Sequence, residues 1–371
     1  MSNDARTSRP ADVSSKKRIA VIPGDGVGRE VIGEASRVLH EVAKAGHREL
    51  ELVEFDWGAQ RFLQDGTTLP EGADRMLAEK FDAILLGAMG DPRVPSNQHA
   101  ADILLGLRFK LDLYVNARPV QLLDSTLTPL RDRTERDVNF IVFRENTEGL
   151  YVGIGGIFKK GTPDEVAVQE DVNTRKGVER IIRYAYEYAQ AHNLKRVCMS
   201  DKSNALNFAH DIWQRVFAEI RVAYPAIESR HLYIDTLAME VVRDPSQFDV
   251  IVTCNLFGDI ISDLGAQLAG GMGMAPSANI YPSRTSLFEP VHGSAPNIAG
   301  KNLANPIASV LASAMMLDHI GWPAEAAALR AAVHASVAAK KTTKDVGGPL
   351  GTREAGEWMA NHVAKEGIGR G

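Results

Sequence analysis

Apolar residues follow two alternating patterns along most of this chain. Short runs rich in β-branched residues have the length and composition of buried strands. These runs lie at residues 18–22, 50–55, 81–86, 113–119, 137–144, 231–235 and 248–253. Between them, apolar residues recur every three or four positions, which predicts helices; the clearest are 102–110, 174–192, 305–317, 323–340 and 353–366. The alternation predicts an α/β protein with an open sheet.

Three stretches interrupt this pattern. Residues 1–16 are polar and are predicted to be a disordered tail. Residues 152–165 are rich in glycine and polar side chains, which favours an extended arm over a core element. The glycine run 270–273 is flexible and is a plausible place for the chain to cross between domains.

Composition narrows the function classes. The net charge of -5 argues against nucleic acid as the main partner. No apolar run is long enough to cross a membrane, and residues 1–17 lack the apolar centre of a signal peptide, so a cytoplasmic enzyme is expected. Cys198 and Cys254 each lie beside a strand-like run and are expected to be small buried residues, not a disulfide.

The first candidate chemistry follows the apolar run 248–253. Gly258 is predicted to start a helix with Asp259 in its first turn, and Asp263 one turn later shares its face. Like charges at this spacing destabilise a helix by about 0.2–0.5 kcal/mol, and a cation between them would reverse that effect. Mg²⁺ or Mn²⁺ would suit such a pair. On the pair alone, two solvated acids on a helix face remain the commoner explanation.

Further charged and polar residues lie near the ends of predicted elements, where ligands bind in open α/β sheets. They are Arg108, Arg118, Arg144, Tyr151, Lys202 and Asp235. Together with the aspartate pair, they suit a small polycarboxylate held by arginines and a metal. The loop 23–30 has a glycine-rich turn, but Arg29 stands where the dinucleotide fingerprint requires a third glycine, which disfavours a Rossmann domain.

Seven motifs in order resemble those of the isocitrate/isopropylmalate dehydrogenase family, the metal-dependent β-decarboxylating dehydrogenases. The motifs occupy residues 23–28, 104–108, 116–119, 144–149, 201–204, 255–259 and 289–296. The resemblance runs from about Arg18 to about Val363. It implies a two-domain open sheet that is not of the Rossmann type, with 17–113 plus 270–371 binding the dinucleotide. Residues 114–269 would bind metal and substrate and form the dimer, with an intersubunit arm at about 152–170.

The resemblance also implies roles for single residues. Tyr151 would be the catalytic acid and Lys202 the catalytic base. The metal ligands would be Asp235, Asp259 and Asp263. The substrate would contact Leu104, Leu105, Arg108, Arg118, Arg144, Asn204 and Asp235. The cofactor NAD would contact His292, Gly293, Ser294, Ala295, Pro296, Asn297 and Asn305. Lys202 and Asp235 would act in the partner subunit's site, so the resemblance implies a homodimer.

Substrate choice is expected to depend on the residues before Arg108. Isocitrate enzymes resemble one another in having Ser and Asn there, whereas Leu104 and Leu105 match the apolar pair of isopropylmalate enzymes. Three departures bear on this. Residues 144–151 are more like those of the homoisocitrate, isocitrate and tartrate/malate members. Ala101 replaces a glutamate that is typical of isopropylmalate enzymes, and Asn297 replaces the aspartate of NAD-linked members.

The favoured activity is therefore NAD-dependent oxidative decarboxylation of 3-isopropylmalate to 4-methyl-2-oxopentanoate and CO₂, in leucine biosynthesis. Isocitrate, homoisocitrate and D-malate or tartrate are the alternative substrates. A non-catalytic regulatory subunit and a metal-dependent phosphoryl-transfer enzyme are the alternatives from other classes.

Overall fold

The computed structural model describes residues 16–369, so the predicted tail lies outside the described residues except for Lys16. The strands are β1 (Lys17–Ile22), β2 (Leu50–Glu54), β3 (Ala83–Leu86), β4 (Val115–Gln121), β5 (Asn139–Glu145), β6 (Gly155–Phe158), β7 (Val166–Gln169), β8 (Arg196–Asp201), β9 (Glu228–Tyr233), β10 (Val250–Thr253), β11 (Pro276–Ile280) and β12 (Ser286–Pro290).

The helices alternate with these strands. They are α1 (Val27–Ala45), α2 (Ala59–Asp65), α3 (Ala73–Lys80), α4 (Gln98–Ala100), α5 (Gly106–Lys110), α6 (Arg175–Ala191), α7 (Asp211–Ile220), α8 (Ile234–Arg243), α9 (Asn255–Leu268), α10 (Ile307–His319), α11 (Pro323–Ala338) and α12 (Thr352–Glu366). A π-helical turn, Ala101–Leu105, joins α4 to α5. The predicted α/β class is confirmed.

The chain forms two compact units. The first consists of the residues up to Leu111 together with those from Ile280 onward. In the first unit, the strand order is β2-β1-β3-β12 and all neighbours are parallel. Ile19, Ala20 and Ile22 of β1 are completely buried, as expected for a parallel strand. Helices α1, α10, α11 and α12 pack against one another in this unit.

The second unit, Asp112–Asn279, has the strand order β11-β4-β5-β10-β8-β9. In this sheet β4 and β5 pair antiparallel, whereas β5, β10, β8 and β9 run parallel to one another. A core containing Val142, Leu237, Ile251 and Ile261 joins the sheet to α8 and α9. Helix α9 begins two residues after the carboxyl end of β10, so its aspartates lie near that end of the sheet.

The glycine-rich segment forms a separate antiparallel hairpin of β6 and β7. All eight residues of its two strands are exposed. Five large apolar residues of the hairpin are between 50% and 66% exposed. They are Ile154, Ile157, Phe158, Val166 and Val168. An isolated two-stranded hairpin is at best marginally stable in water, so this segment lacks the burial that stabilises the rest of the unit.

The structure corrects two local predictions. Helix α9 begins at Asn255, so Gly258 lies inside the helix and Asp259 is beyond its first turn. Asp235 was predicted to end a strand, but β9 ends at Tyr233 and Asp235 lies in the first turn of α8. Cys198 and Cys254 are buried free thiols, as predicted. No helix in residues 16–369 is long and apolar enough to span a membrane.

Candidate active site

Helix α9 lies unusually close to β5 because Gly258 has no side chain. A Cβ at Gly258 would be 2.5 Å from Cβ of Arg144 and 2.6 Å from its Cγ. The glycine is therefore required by close packing inside the helix and not by a helix cap. This approach places the guanidinium of Arg144, which is 1% exposed, against the side chains of α9.

Asp259 connects Arg144 to Tyr151. Nη1 of Arg144 donates to Oδ1 of Asp259, and the hydroxyl of Tyr151 donates to Oδ2 at 2.7 Å. Nε of Arg144 donates to Oδ1 of Asn255 at 2.9 Å. The guanidinium carbon also lies 5.1 Å from the centre of the Tyr151 ring. Three predicted site residues, Tyr151, Asp259 and Arg144, are therefore in direct contact.

Arg118 joins the two aspartates of α9. Its Nη1 lies 3.0 Å from Asp259 Oδ1 and 3.2 Å from Asp263 Oδ1, and it donates to Oγ of Ser262 at 2.8 Å. The predicted common face of the two aspartates is therefore observed. Burial raises the pKa of Asp263, and Asp259 adds to this effect while Arg118 opposes it. A bound cation would relieve the repulsion between the two carboxylates.

Lys202 and Asp235 form a second pair in this unit. Nζ of Lys202 donates to Oδ1 of Asp235 at 2.7 Å, and this hydrogen bond lowers the pKa of the Asp235 carboxyl. The Asp235 side chain is 62% exposed, and Asn204, two residues after Lys202, is also exposed. Across residues 16–369, no three His, Cys, Asp or Glu side chains gather as a metal-ligand group.

The carboxylates of Asp259 and Asp263 can supply some, but not all, of the ligands that a hard divalent cation needs. Asp259 and Asp263 supply oxygen ligands from one helix face, and a cation there would favour the ionised form of Asp263, whose pKa is raised mainly by burial. A complete set requires further oxygen ligands, which water, substrate or another chain would supply.

The first unit holds the remaining predicted substrate residues. Arg108 is buried and its Nη2 donates to Oε1 of Glu289 at 2.8 Å, while its buried Nε has no hydrogen-bond partner among the described residues. Leu104 and Leu105 lie in the π-helical turn and are partly exposed, in contrast to the fully buried Ile103. Such π-turns often occur at functional sites.

A loop in the first unit offers backbone and imidazole groups to a ligand. Val27 donates its backbone N–H to the carbonyl of Ser294 at 2.9 Å. A Cβ at Gly26, where φ is +52°, would lie 2.1 Å from the same oxygen. Burial lowers the pKa of His292, so this ring is neutral at pH 7, and its buried Nε2 has no hydrogen-bond partner among the described residues.

The rest of this predicted cofactor segment is open to solvent to different degrees. Gly293, Pro296 and Asn297 are exposed, Ala295 is half-buried, and Ser294 is buried. Asn305 donates to Oδ2 of Asp345 and accepts from the N–H of Ile307, which orients its side chain at the start of α10. An unpaired imidazole nitrogen beside open backbone groups fits a nucleotide, whose base and ribose need such partners.

Three further residues contact the predicted site residues although sequence reasoning gave them no role. Asn255 contacts Arg144, Ser262 contacts Arg118, and Glu289 contacts Arg108. All three stand in or beside quoted motifs, so their position along the chain was the available signal. Their partners could not be predicted because each contact joins segments far apart in sequence.

Comparison with known proteins gives a consistent result. The family model described as isocitrate/isopropylmalate dehydrogenase matches residues 18–359. The chain is 45% identical to 3-isopropylmalate dehydrogenase of Thermobifida fusca over 352 residues, covering 94% of this chain and 98% of the relative. It is 46% identical to 3-isopropylmalate dehydrogenase of Streptomyces coelicolor over 351 residues, covering 93% of this chain and 100% of that one.

A solved structure agrees with these relatives. The crystal structure of isocitrate dehydrogenase from Methylococcus capsulatus superimposes with a TM-score of 0.85 at 36% identity, covering 94% of this chain and 99% of that one. Its fold is the mixed α/β arrangement described above. From the matched family model and the extent of these identities, the chain belongs to the isocitrate/isopropylmalate dehydrogenase family.

Proposed function

We propose that this protein oxidises and decarboxylates 3-isopropylmalate with NAD and Mg²⁺ or Mn²⁺, in leucine biosynthesis. The observation that carries the proposal is the apolar pair Leu104 and Leu105, which is partly exposed in a π-helical turn one helical turn before Arg108. Two relatives that are 45% and 46% identical over more than nine-tenths of the chain are named for this substrate.

The residues of the second unit supply acid–base and anion-binding groups for this reaction. Arg118 and Arg144 would bind the substrate carboxylates, because each guanidinium already pairs with the Asp259 carboxylate of α9. Lys202 would remove the proton of the 2-hydroxyl group, and Tyr151 would donate a proton to the carbon that loses CO₂. Bound NAD would accept the hydride, and a bound metal would polarise the new carbonyl group.

Metal and cofactor have separate proposed ligands. Asp259 and Asp263 would hold the metal together with Asp235 from a second subunit. The loop of residues 292–297 and Asn305 would bind NAD, and Asn297 offers an amide for ribose hydroxyls without a positive charge for a 2′-phosphate. The proposed domain roles, dinucleotide binding in one and metal and substrate binding in the other, follow from this assignment.

The pattern of burial around Leu104 supports a substrate contact. Ile103 and Leu107 are 0% exposed and fill the core, whereas Leu104 and Leu105 keep exposed surface that an isopropyl group could cover. Burying an isopropyl group against leucine is favourable by about 0.8 kcal/mol for each CH₂ group. A third substrate carboxylate at this place would lose its hydration without gaining a partner.

The direct test is NADH formation with Mg²⁺ on 3-isopropylmalate, isocitrate, homoisocitrate and D-malate in parallel. A clear preference for 3-isopropylmalate supports the proposal. Preference for a tricarboxylate refutes the substrate assignment, and it would mean that the segment 144–151 is the better guide to specificity. Absence of NADH with every hydroxy acid refutes the dehydrogenase activity for this chain.

A substitution separates substrate contact from simple packing. Leu104→Ser should lower kcat/KM for 3-isopropylmalate by about 10- to 100-fold, which is the usual effect of losing apolar contact in a pocket. D-malate lacks the isopropyl group and serves as the matched control, since its kcat/KM should change little. Equal losses for both substrates would show that Leu104 acts through packing.

The exposed hairpin supports a homodimer in which two arms cover each other. Its apolar side chains and free strand edges are unusual on a surface that faces only water. If Lys202 and Asp235 act in the partner's site, mixed dimers of Lys202→Met and Tyr151→Phe subunits contain one site with both native groups. Activity should then recover after mixing. No recovery in dimers shown to be mixed would refute the shared site.

A further inference from the structure

His210 is a buried ring whose two nitrogens face different segments of the second unit. The residue is 1% exposed. Its Nδ1 accepts a hydrogen bond from the backbone N–H of Lys202 at 3.0 Å. Its Nε2 lies 3.2 Å from Oδ2 of Asp171, which is an electrostatic contact without hydrogen-bond geometry. The ring therefore stands between the loop that carries Lys202 and the segment that precedes α6.

These neighbours assign the tautomer of His210. A backbone N–H is always a donor, so Nδ1 must be the unprotonated nitrogen of the ring. The proton then lies on Nε2, where it faces the Asp171 carboxylate. The same arrangement, a carboxylate behind a histidine that orients a third group, fixes ring orientation in many sites. Here the third group is a backbone amide and not a substrate.

The loop after Lys202 has little other burial. Residues 204–208 are exposed, and Phe208 reaches 97% exposure. The carbonyl of Lys202 accepts from the N–H groups of Ala205 and Leu206, so its own turn constrains one side of the peptide. His210 constrains the other side, through the N–H. The buried ring thus anchors the turn from which the Lys202 side chain extends.

His210 also contacts the segments that carry the acid and the metal-binding carboxylate. Phe257 of α9 meets the ring edge-to-face at 5.4 Å, two residues before Asp259. Asp171 precedes Val172, whose carbonyl accepts from the N–H of Gly149 at 2.8 Å, two residues before Tyr151. The ring therefore contacts the segments that carry Lys202 and Asp259 directly. The segment around Asp171 connects the ring to the segment that carries Tyr151.

From this geometry we infer that His210 is a positioning residue, which holds the Lys202 backbone through Nδ1 while its Nε2 faces the Asp171 carboxylate. The inference rests on the proposed function, in which Lys202 is the base. Its effect should appear in kcat rather than in NAD binding, because the contacts involve the second unit alone. Misplacing a catalytic group by about 1 Å can lower the rate on the order of 100-fold.

Two substitutions of His210 separate positioning from packing, since both remove the ring. In His210→Asn the side-chain oxygen can replace Nδ1 as acceptor for Lys202. In His210→Gln the longer amide replaces Nε2 and leaves the Lys202 N–H without its acceptor. We expect kcat with 3-isopropylmalate to fall about 10- to 100-fold in His210→Gln and less than about 3-fold in His210→Asn, with similar melting temperatures. Equal kcat values, or a larger loss in His210→Asn, would overturn the inference.

Two measurements do not depend on turnover. Hydrogen exchange at the Lys202 amide should be faster in His210→Gln than in His210→Asn, and equal rates would overturn the inference. If neither variant folds, ¹⁵N spectra of histidine-labelled wild type decide: a proton on Nε2 supports the inference, and a proton on Nδ1 overturns it. Wild type without dehydrogenase activity would refute the proposed function, while amide exchange would still test the His210–Lys202 contact.

Discussion

Replacing Gly258 with alanine has two opposing effects on the stability of the folded state, and their sizes can be compared. Alanine in place of glycine within a helix stabilises by about 1 kcal/mol through backbone propensity alone. At this position, however, the new Cβ would lie 2.5 Å, 2.6 Å and 3.1 Å from Cβ, Cγ and Cα of Arg144. Ordinary carbon–carbon contacts are about 3.5–4.0 Å, so α9 and β5 must separate by roughly 1 Å.

The overlap should outweigh the propensity gain. Overpacking a core costs about 1–3 kcal/mol, and the upper value applies because the atoms closest to the new Cβ are fixed to the β5 backbone. Subtracting the propensity gain leaves a net loss of about 2 kcal/mol. A shift of about 1 Å would also separate Asp259 from Arg144 and Tyr151, so kcat should fall on the order of 100-fold.

Gly33 provides the matched control. It lies in the middle of α1, and a Cβ there would meet no heavy atom within 4 Å. Gly33→Ala should therefore gain about 1 kcal/mol in the free energy of unfolding and leave kcat unchanged. Thermal and urea unfolding of both variants, with kcat from NADH formation, make the comparison. Gly258→Ala with wild-type stability and activity would refute the reasoning.

Three further predictions concern carboxylates and thiols. Burial, and to a lesser degree Asp259, raise the pKa of Asp263 above its usual 3.8, so ionisation of this carboxyl weakens the folded state. Without metal, Asp263→Asn should therefore raise the melting temperature at pH 7 by about 1–3 °C. This gain should shrink as the pH falls toward 3.8. A gain that persists at low pH would contradict this linkage. Asp259→Asn should lower Mg²⁺-dependent kcat by at least about 100-fold while the protein still folds, because loss of a metal ligand should exceed the roughly 10- to 100-fold effect of residues that only orient ligands. Burial raises the pKa of Cys198 and of Cys254 to about 12, so neither thiol should react with a thiol reagent at pH 8 until the protein unfolds; rapid labelling of the native protein would contradict this.

The sequence was a good guide where a local pattern determines the structure. Apolar periodicity predicted the helix at 174–192, and the observed helix α6 spans Arg175–Ala191, with the Thr174 hydroxyl accepting from the N–H of Gly177 at its start. The alternation of strands and helices likewise predicted the α/β class. In these cases neighbouring residues carry the information, so no knowledge of distant contacts is needed.

Local pattern failed where a distant contact decides. Gly258 was interpreted as a helix start because glycine commonly ends one element, but its conformation is helical and its role is contact with Arg144 on another strand. Asp235 directly follows an apolar run that continues from β9 into α8, and such a run does not show where the strand ends. The link from Asp171 through His210 to Lys202 spans three segments, so no single stretch of sequence displays it.

The first unit is built from both ends of the chain, and this affects how the protein folds during its synthesis. Helix α1 buries Val31, Val38 and Val42 and packs against α12, which begins at Thr352. At about 5–20 residues per second, a ribosome needs on the order of 10–50 s to make the intervening residues 112–351. Throughout that time, the apolar face of α1 lacks its last covering helix, whereas the contiguous second unit can fold as it emerges. The nascent chain is therefore expected to depend on chaperones early, and a stop codon shortly before α12 should be far more damaging than its distance from the site suggests.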